Sequence, residues 1–192
     1  MSRIIAGAAG GTPLVSVPGS LTRPTTDRVK EALFSRLDAF EVIADARVLD
    51  LYAGSGSLGV ESASRGARTV DLVEFDGKAS EVCQRNADLV NTVAREKTVS
   101  VHRSKVESFL DPPYPLDEVA LAAVLAKLLP HLAEGAVVVV ERSARTPEPS
   151  WPEGMERFAE KKYGETRLWF AEPGVDAEAA ATQAAEAAGS EG

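Results

Sequence analysis

An α/β fold built on a parallel, doubly wound sheet is what this sequence predicts, and three observations predict it. Strand-like apolar runs alternate with helical patterns in the order βαβαβ between residues 48 and 102. A glycine turn, Gly54-Ser55-Gly56, stands between the first strand, Val48-Leu49-Asp50-Leu51, and a helix over residues 57–65. The third is size: 192 residues, 44% hydrophobic and 26% charged, are enough for one ordinary globular domain with a substantial core. In such a sheet the ligand lies at the carboxyl ends of the strands.

The elements follow in order. Residues 3–19 alternate short apolar pieces with glycine and predict a β-hairpin, with Gly10, Gly11 and Pro13 in or near its turn. Pro24 biases Arg23 towards an extended conformation, and a Thr or Asp in 25–27 caps a helix whose apolar face is Val29, Leu33 and Phe34. Val48, Leu49 and Leu51 read as the end of a buried strand. A second strand is expected over 67–75 and a helix over 76–90, with Ala79, Val82, Cys83 and Ala87 at helical spacing. Val99-Ser100-Val101-His102 is the third strand. Residues 116–133 predict a helix with a buried stripe of Val119, Ala122, Ala123, Leu125, Leu128, Leu129 and Leu132, ended by Gly135. Residues 136–140 then read as a fully buried strand, Pro147 to Pro152 as an extended loop, and 157–170 as two strands around Tyr163-Gly164-Glu165-Thr166. Beyond Pro173, Ala, Glu and Gly dominate and no core forms, so a disordered or fraying tail is expected.

Composition narrows the function classes. No apolar run approaches the roughly 20 residues that cross a bilayer, and the first residues do not continue into a secretory core, which fits a cytoplasmic protein. A lone cysteine, Cys83, excludes an internal disulfide and reads as a small core residue. His102 and His131 have no sequence neighbours that make a triad or a metal site, so both read as structural and no metal is expected. The net charge of −8 speaks against a nucleic-acid partner. Its distribution weakens that objection, because residues 1–30 carry Arg3, Arg23, Arg28 and Lys30 against Asp27 alone, while 171–192 hold five acids and no base.

Two stretches carry chemistry. Residues 54–59 satisfy G-x-G-x-x-G, a weak signal alone. Asp50, at the mouth of the strand, repels a pyrophosphate and welcomes a cation. S-adenosylmethionine has an ammonium, a sulfonium and no phosphate, and Glu74, closing the next strand, suits its ribose hydroxyls. The second stretch is Asp111-Pro112-Pro113-Tyr114, in which two prolines stiffen an elbow between an acid and a ring. Such an elbow grips a planar base, the ring stacking on its face while Asp111 and a carbonyl accept hydrogens from an exocyclic amine.

With both stretches in hand, the chain resembles the RsmD family of 16S rRNA guanine-N2 methyltransferases over most of residues 1–172. The likeness rests on Arg3-Ile4-Ile5-Ala6-Gly7, on the Arg23-Pro24-Thr25-Thr26-Asp27-Arg28 block, which is the family-specific part, on the glycine stretch and on the elbow. Val140-Glu141-Arg142-Ser143 and residues 163–168 complete it. The resemblance implies a class I S-adenosylmethionine-dependent methyltransferase: Rossmann-like, with a mostly parallel doubly wound sheet and an N-terminal β-hairpin extension. It divides the chain into the extension (1–22), the methyltransferase domain (23–172) and the acidic tail (173–192).

For the cofactor the resemblance implies Arg23, Thr25 and Thr26, then Asp50, Tyr52, Ala53, Gly54, Ser55 and Gly56, and finally Glu74, Phe75 and Asp76. Catalysis falls to Asp111, Pro112, Pro113 and Tyr114, and RNA contacts to Arg3, Arg23 and Arg28. The implied partner is 16S rRNA, at guanine 966, in an assembled or assembling small subunit, with the enzyme a monomer. An arm on RNA and a clasp on the domain both fit residues 3–19. The runner-up activity is adenine-N6 methylation of DNA or RNA; a non-catalytic RNA-binding assembly factor, a protein glutamine methyltransferase and a dinucleotide oxidoreductase are further alternatives.

One departure stands out. A class I methyltransferase has a hydrophobic strand directly before its Asp-Pro-Pro-Tyr, and here only Phe109-Leu110 precede it. A loop plus a strand, roughly 10–20 residues, has no counterpart. Either the chain lacks the central strand or the sequence as written omits residues; omission is the expectation, because it lets Asp111 reach a strand end beside Gly54.

Overall fold

A computed structural model of the chain describes residues 2–18, 26–106 and 118–174. Two compact units divide at residues 111 and 112. Arg23, Thr25 and the elbow at 111–114 lie outside the described residues, as does the tail beyond 174.

In the first unit, helix α1 (Asp27–Ala39) starts where Thr26 accepts the Val29 N–H on its hydroxyl and Asp27 sits in the first turn, favourable to the helix dipole. Its buried face is Val29, Lys30, Leu33, Phe34 and Leu37. Strand β1 (Arg47–Asp50), helix α2 (Ser57–Ser64), strand β2 (Thr69–Val73), helix α3 (Gly77–Ala94) and strand β3 (Val99–His102) follow. The strands form a parallel sheet in the order β1-β2-β3, pairing Asp50 with Leu72 and Val73 with His102. Asn91 of α3 holds the start of β3 by accepting the Val99 N–H at 2.8 Å and donating to its carbonyl at 2.9 Å. Val60, Val70, Leu72, Cys83, Ala87 and Val99 make the core between helices and sheet.

The N-terminal segment joins that core, with Ile4 and Leu14 buried beside it. It is a tight loop with one isolated bridge, Arg3 to Pro13, rather than a pair of full strands, and it fastens to α2. Glu61 accepts the N–H groups of Ile5 (2.7 Å) and Ala6 (3.1 Å), while Ser64 accepts that of Ala9. These bonds clasp the segment to α2. Lys30 and Glu61, both fully buried, lie 3.8 Å apart. Burial pushes the Lys30 ammonium below its ordinary pKa, and Glu61 and Asp27 pull it back up.

In the second unit, helix α4 (Glu118–Leu128), a 3-10 turn (Leu129–His131) and strands β4 (Val138–Ser143), β5 (Met155–Tyr163) and β6 (Thr166–Pro173) form an antiparallel sheet in the order β4-β6-β5 with one helix. Leu121, Leu125, Val138, Val140, Met155, Trp169 and Ala171 are its core.

Four readings need correction. Leu49 is 39% exposed, not buried: it shares a sheet face with Asp71 and Ser100, opposite the one that Val48, Val70 and Val99 turn into the core. Val119, placed in the buried stripe, is 76% exposed; α4 is apolar nearly all round, so periodicity could not select the face, and Ala120, Leu121, Val124 and Leu125 turn inward. β4 alternates in burial and pairs antiparallel to β6, instead of being buried on both faces. Finally, the chain is continuous from residue 1 to 192, so no residues were omitted before Asp111. Among the described residues no strand lies between β3 and α4.

Candidate cofactor site

After Asp50 the chain crosses the end of β2, where the Ala53 N–H donates to the Val73 carbonyl at 3.1 Å. The Gly56 N–H returns to the Ala53 carbonyl at 2.6 Å and closes the turn. Gly54 and Gly56 hold φ of +56° and +76°, where a Cβ is strained. The glycines of the motif differ in role. A Cβ on Gly56 would lie 2.8 Å from Cys83 Sγ and 3.0 Å from Leu72 Cδ1, and one on Gly59 2.1 Å from Leu72 Cδ2. These two let α2 close onto the sheet. A Cβ on Gly54 would meet nothing within 4 Å, so Gly54 faces open space.

Glu74, the residue after β2, ties two loops together. One oxygen accepts the Gly54 N–H and the other the Asp76 N–H, each at 2.8 Å. Each oxygen keeps a second lone pair for a ligand hydroxyl. Asp76 caps α3 by accepting the Ala79 N–H at 2.9 Å. Tyr52 and Phe75 are 50% and 60% exposed, and the Lys105 ammonium lies 5.1 Å from the Phe75 ring centre. Ala53 is buried and Ser55 half-buried.

Cys83 reports the potential beneath the turn. Burial pushes its thiol up to about 12, and Asp50 and Glu74 push in the same direction. Both carboxylates therefore bear on one buried spot beneath the turn. That donor set fits a cation carrying hydroxyls and opposes a phosphate.

The remaining predicted positions are less close-knit. Thr26 is engaged as the α1 cap, and Arg3 and Arg28 are exposed. His102 does have a partner: Asp71, on the neighbouring strand, sits 2.7 Å from its Nε2. Sequence reasoning missed Glu61 and Asn86, since a polar residue at a buried helical position gives no local sign of what it will bond.

The chain was compared with known proteins. Residues 2–172 match the family model described as conserved hypothetical protein 95. Ribosomal RNA small subunit methyltransferase D of Escherichia coli (strain K12) is 34% identical over 173 residues, covering 85% of each chain. YlbH of Bacillus subtilis (strain 168) is 31% identical, covering 85% of this chain and 95% of that one. That alignment runs over 179 positions, more than the part of this 192-residue chain within it, so YlbH has residues for which this chain has no counterpart. Among solved structures, yhhF from Escherichia coli superposes with a TM-score of 0.75 at 31% identity, covering 90% of this chain and 97% of that one. With its parallel sheet, its glycine turn and these relatives, the chain belongs to the RsmD family of methyltransferases.

Proposed function

We propose that this protein transfers a methyl group from S-adenosylmethionine to the exocyclic N2 of a guanine in 16S rRNA, guanine 966, in an assembled or assembling small subunit. The observation that carries the reading is the pair of carboxylates, Asp50 and Glu74, converging under a turn whose Gly54 faces open space. S-adenosylmethionine, when bound, supplies a methyl carbon on a positively charged sulfur. Asp50 and Glu74 favour that charge, and Glu74 accepts ribose hydroxyls on its free lone pairs. Phe75 and Tyr52 offer exposed apolar surface to a purine.

Guanine N2 is a poor nucleophile because its lone pair is delocalised into the ring. Asp111 and the Pro112 carbonyl accept the hydrogens of that amine, which localises the lone pair, and Pro113 stiffens the elbow that aims it. Tyr114 replaces the stacking lost when the base leaves its helix. As the nitrogen is alkylated it becomes acidic, and Asp111 or water takes the proton. Arg3, Arg23 and Arg28 give the positive charge that RNA phosphates need.

Incubation with labelled S-adenosylmethionine and small-subunit particles lacking the modification, followed by nucleoside analysis, tests this. N2-methylguanosine is expected. N6-methyladenosine would establish the adenine-N6 reading. Cofactor binding without any transfer would make the chain a non-catalytic factor, and the short link before Asp111 would be the place to look for the reason.

A further inference from the structure

Asn86, on α3, reaches the glycine turn from outside it. Its side chain is fully buried on the inner face of α3, and its amide serves two distant segments at once. Oδ1 accepts the Val15 N–H at 2.9 Å. Nδ2 donates to the Val15 carbonyl at 3.0 Å and to the Ser55 carbonyl at 2.8 Å. Ser55 lies between the two positive-φ glycines of the turn, and Val15 lies at the end of the N-terminal clasp. One amide thus holds both the clasp and the turn.

We infer that Asn86 is a positioning residue that couples the N-terminal clasp to the cofactor turn, so that cofactor binding and clasp docking strengthen each other. The Ser55–Gly56 peptide carries the coupling. The Ala53 carbonyl holds the Gly56 N–H end of that peptide, and the bond from Asn86 fixes its Ser55 carbonyl end before the ligand arrives. The same side chain loses its orientation if Val15 departs, because two of its three bonds go there. Clasp docking therefore pre-orders the turn. Linkage requires the reverse as well: a ligand that needs the ordered turn must tighten the clasp. A second anchor makes the clasp a unit, since Glu61 and Ser64 hold its other end to α2, the helix that the turn opens.

This inference rests on the site binding S-adenosylmethionine, and two measurements keep the questions apart. Calorimetry on the unaltered chain reads the site itself: no heat with S-adenosylmethionine or S-adenosylhomocysteine would overturn both the cofactor reading and the coupling. Given binding, amide hydrogen exchange at Val15 reads the coupling. Its protection is expected to rise at least threefold at saturating S-adenosylhomocysteine, while Val99, held by Asn91 at the start of β3, changes less. Asn86→Ala is expected to weaken cofactor binding about tenfold, to leave turnover at saturating cofactor within twofold and to abolish the ligand response at Val15. Asn86→Asp, which keeps the acceptor for Val15 N–H but loses both donors, should weaken cofactor binding similarly while retaining more protection at Val15. Unchanged Val15 exchange in the unaltered chain on ligand saturation would overturn the coupling, whether or not either variant folds. Cofactor affinity within twofold of normal in a folded Asn86→Ala chain would overturn it too.

Discussion

Gly54 and Gly56 share a positive φ and differ in what surrounds them, so alanine at each separates stability from binding. At either site a Cβ in the left-handed region costs about 1–2 kcal/mol. Gly54→Ala stops there, since its methyl meets nothing within 4 Å. Gly56→Ala adds overpacking: a methyl 2.8 Å from Cys83 Sγ and 3.0 Å from Leu72 Cδ1 forces both to move, for about 1–3 kcal/mol more. The total for Gly56→Ala is then ~2–5 kcal/mol. Urea unfolding followed by circular dichroism measures both. Combining each variant with Cys83→Ala sharpens the comparison. Removing Sγ should recover about 0.5–2 kcal/mol beyond additivity with Gly56→Ala and nothing with Gly54→Ala. Cofactor affinity should reverse the ranking. Gly54→Ala puts its methyl into the ligand's space and should weaken S-adenosylmethionine binding tenfold or more, about 1.4 kcal/mol, at the smaller of the two costs in stability. Equal destabilisation by the two alanines, or an additive cycle at Gly56 and Cys83, would refute the packing argument.

Other expectations follow from the same contacts. Glu61→Ala leaves buried Lys30 with Asp27, 3.8 Å away, as its remaining carboxylate and deprives two clasp N–H groups of their acceptor, and should cost about 3–5 kcal/mol in urea unfolding. The Cys83 thiol, raised from 9.0 to about 12, holds its proton when folded at pH values where the unfolded chain has lost it, so its contribution is intact below pH 9 and erodes as pH rises towards 12. The stability gap between the unaltered chain and Cys83→Ala should shrink by about 1 kcal/mol between pH 9 and pH 10, and a constant gap would contradict the burial of the thiol. Glu74→Gln keeps only one acceptor for the Gly54 and Asp76 N–H groups and removes the charge, so cofactor binding should fall more than tenfold by calorimetry. Tyr114→Ala should lower methyl transfer far more than cofactor affinity; unchanged transfer would remove its stacking role.

Much of the first unit was legible in the letters. Val99 to His102 form the strand their alternation predicts, and Thr26 caps α1 where a hydroxyl before an amphipathic run should. Such features are local: hydrophobic period, cap chemistry and glycine conformation act within a few residues. The misplaced stripe on α4 shows the limit, since Val119 and Leu121 are equally apolar and only the sheet of β4, β5 and β6 decides which is covered. His102 was read as lacking a partner because Asp71 is 31 residues away, adjacent only once β2 and β3 pair.

By itself the sequence determined the βαβαβ order of residues 47–102 and the glycine turn between β1 and α2, because each depends on residue type and short spacing. Tertiary structure alone decided that Glu74 spans the Gly54 and Asp76 amides, that Cys83 lies under Gly56, and that Asn86 joins Val15 to Ser55. Apart from Glu74 and Asp76, which are two residues apart, those contacts link positions 20 to 71 residues apart, where no local propensity operates and only the packing of helix against sheet brings the groups within reach.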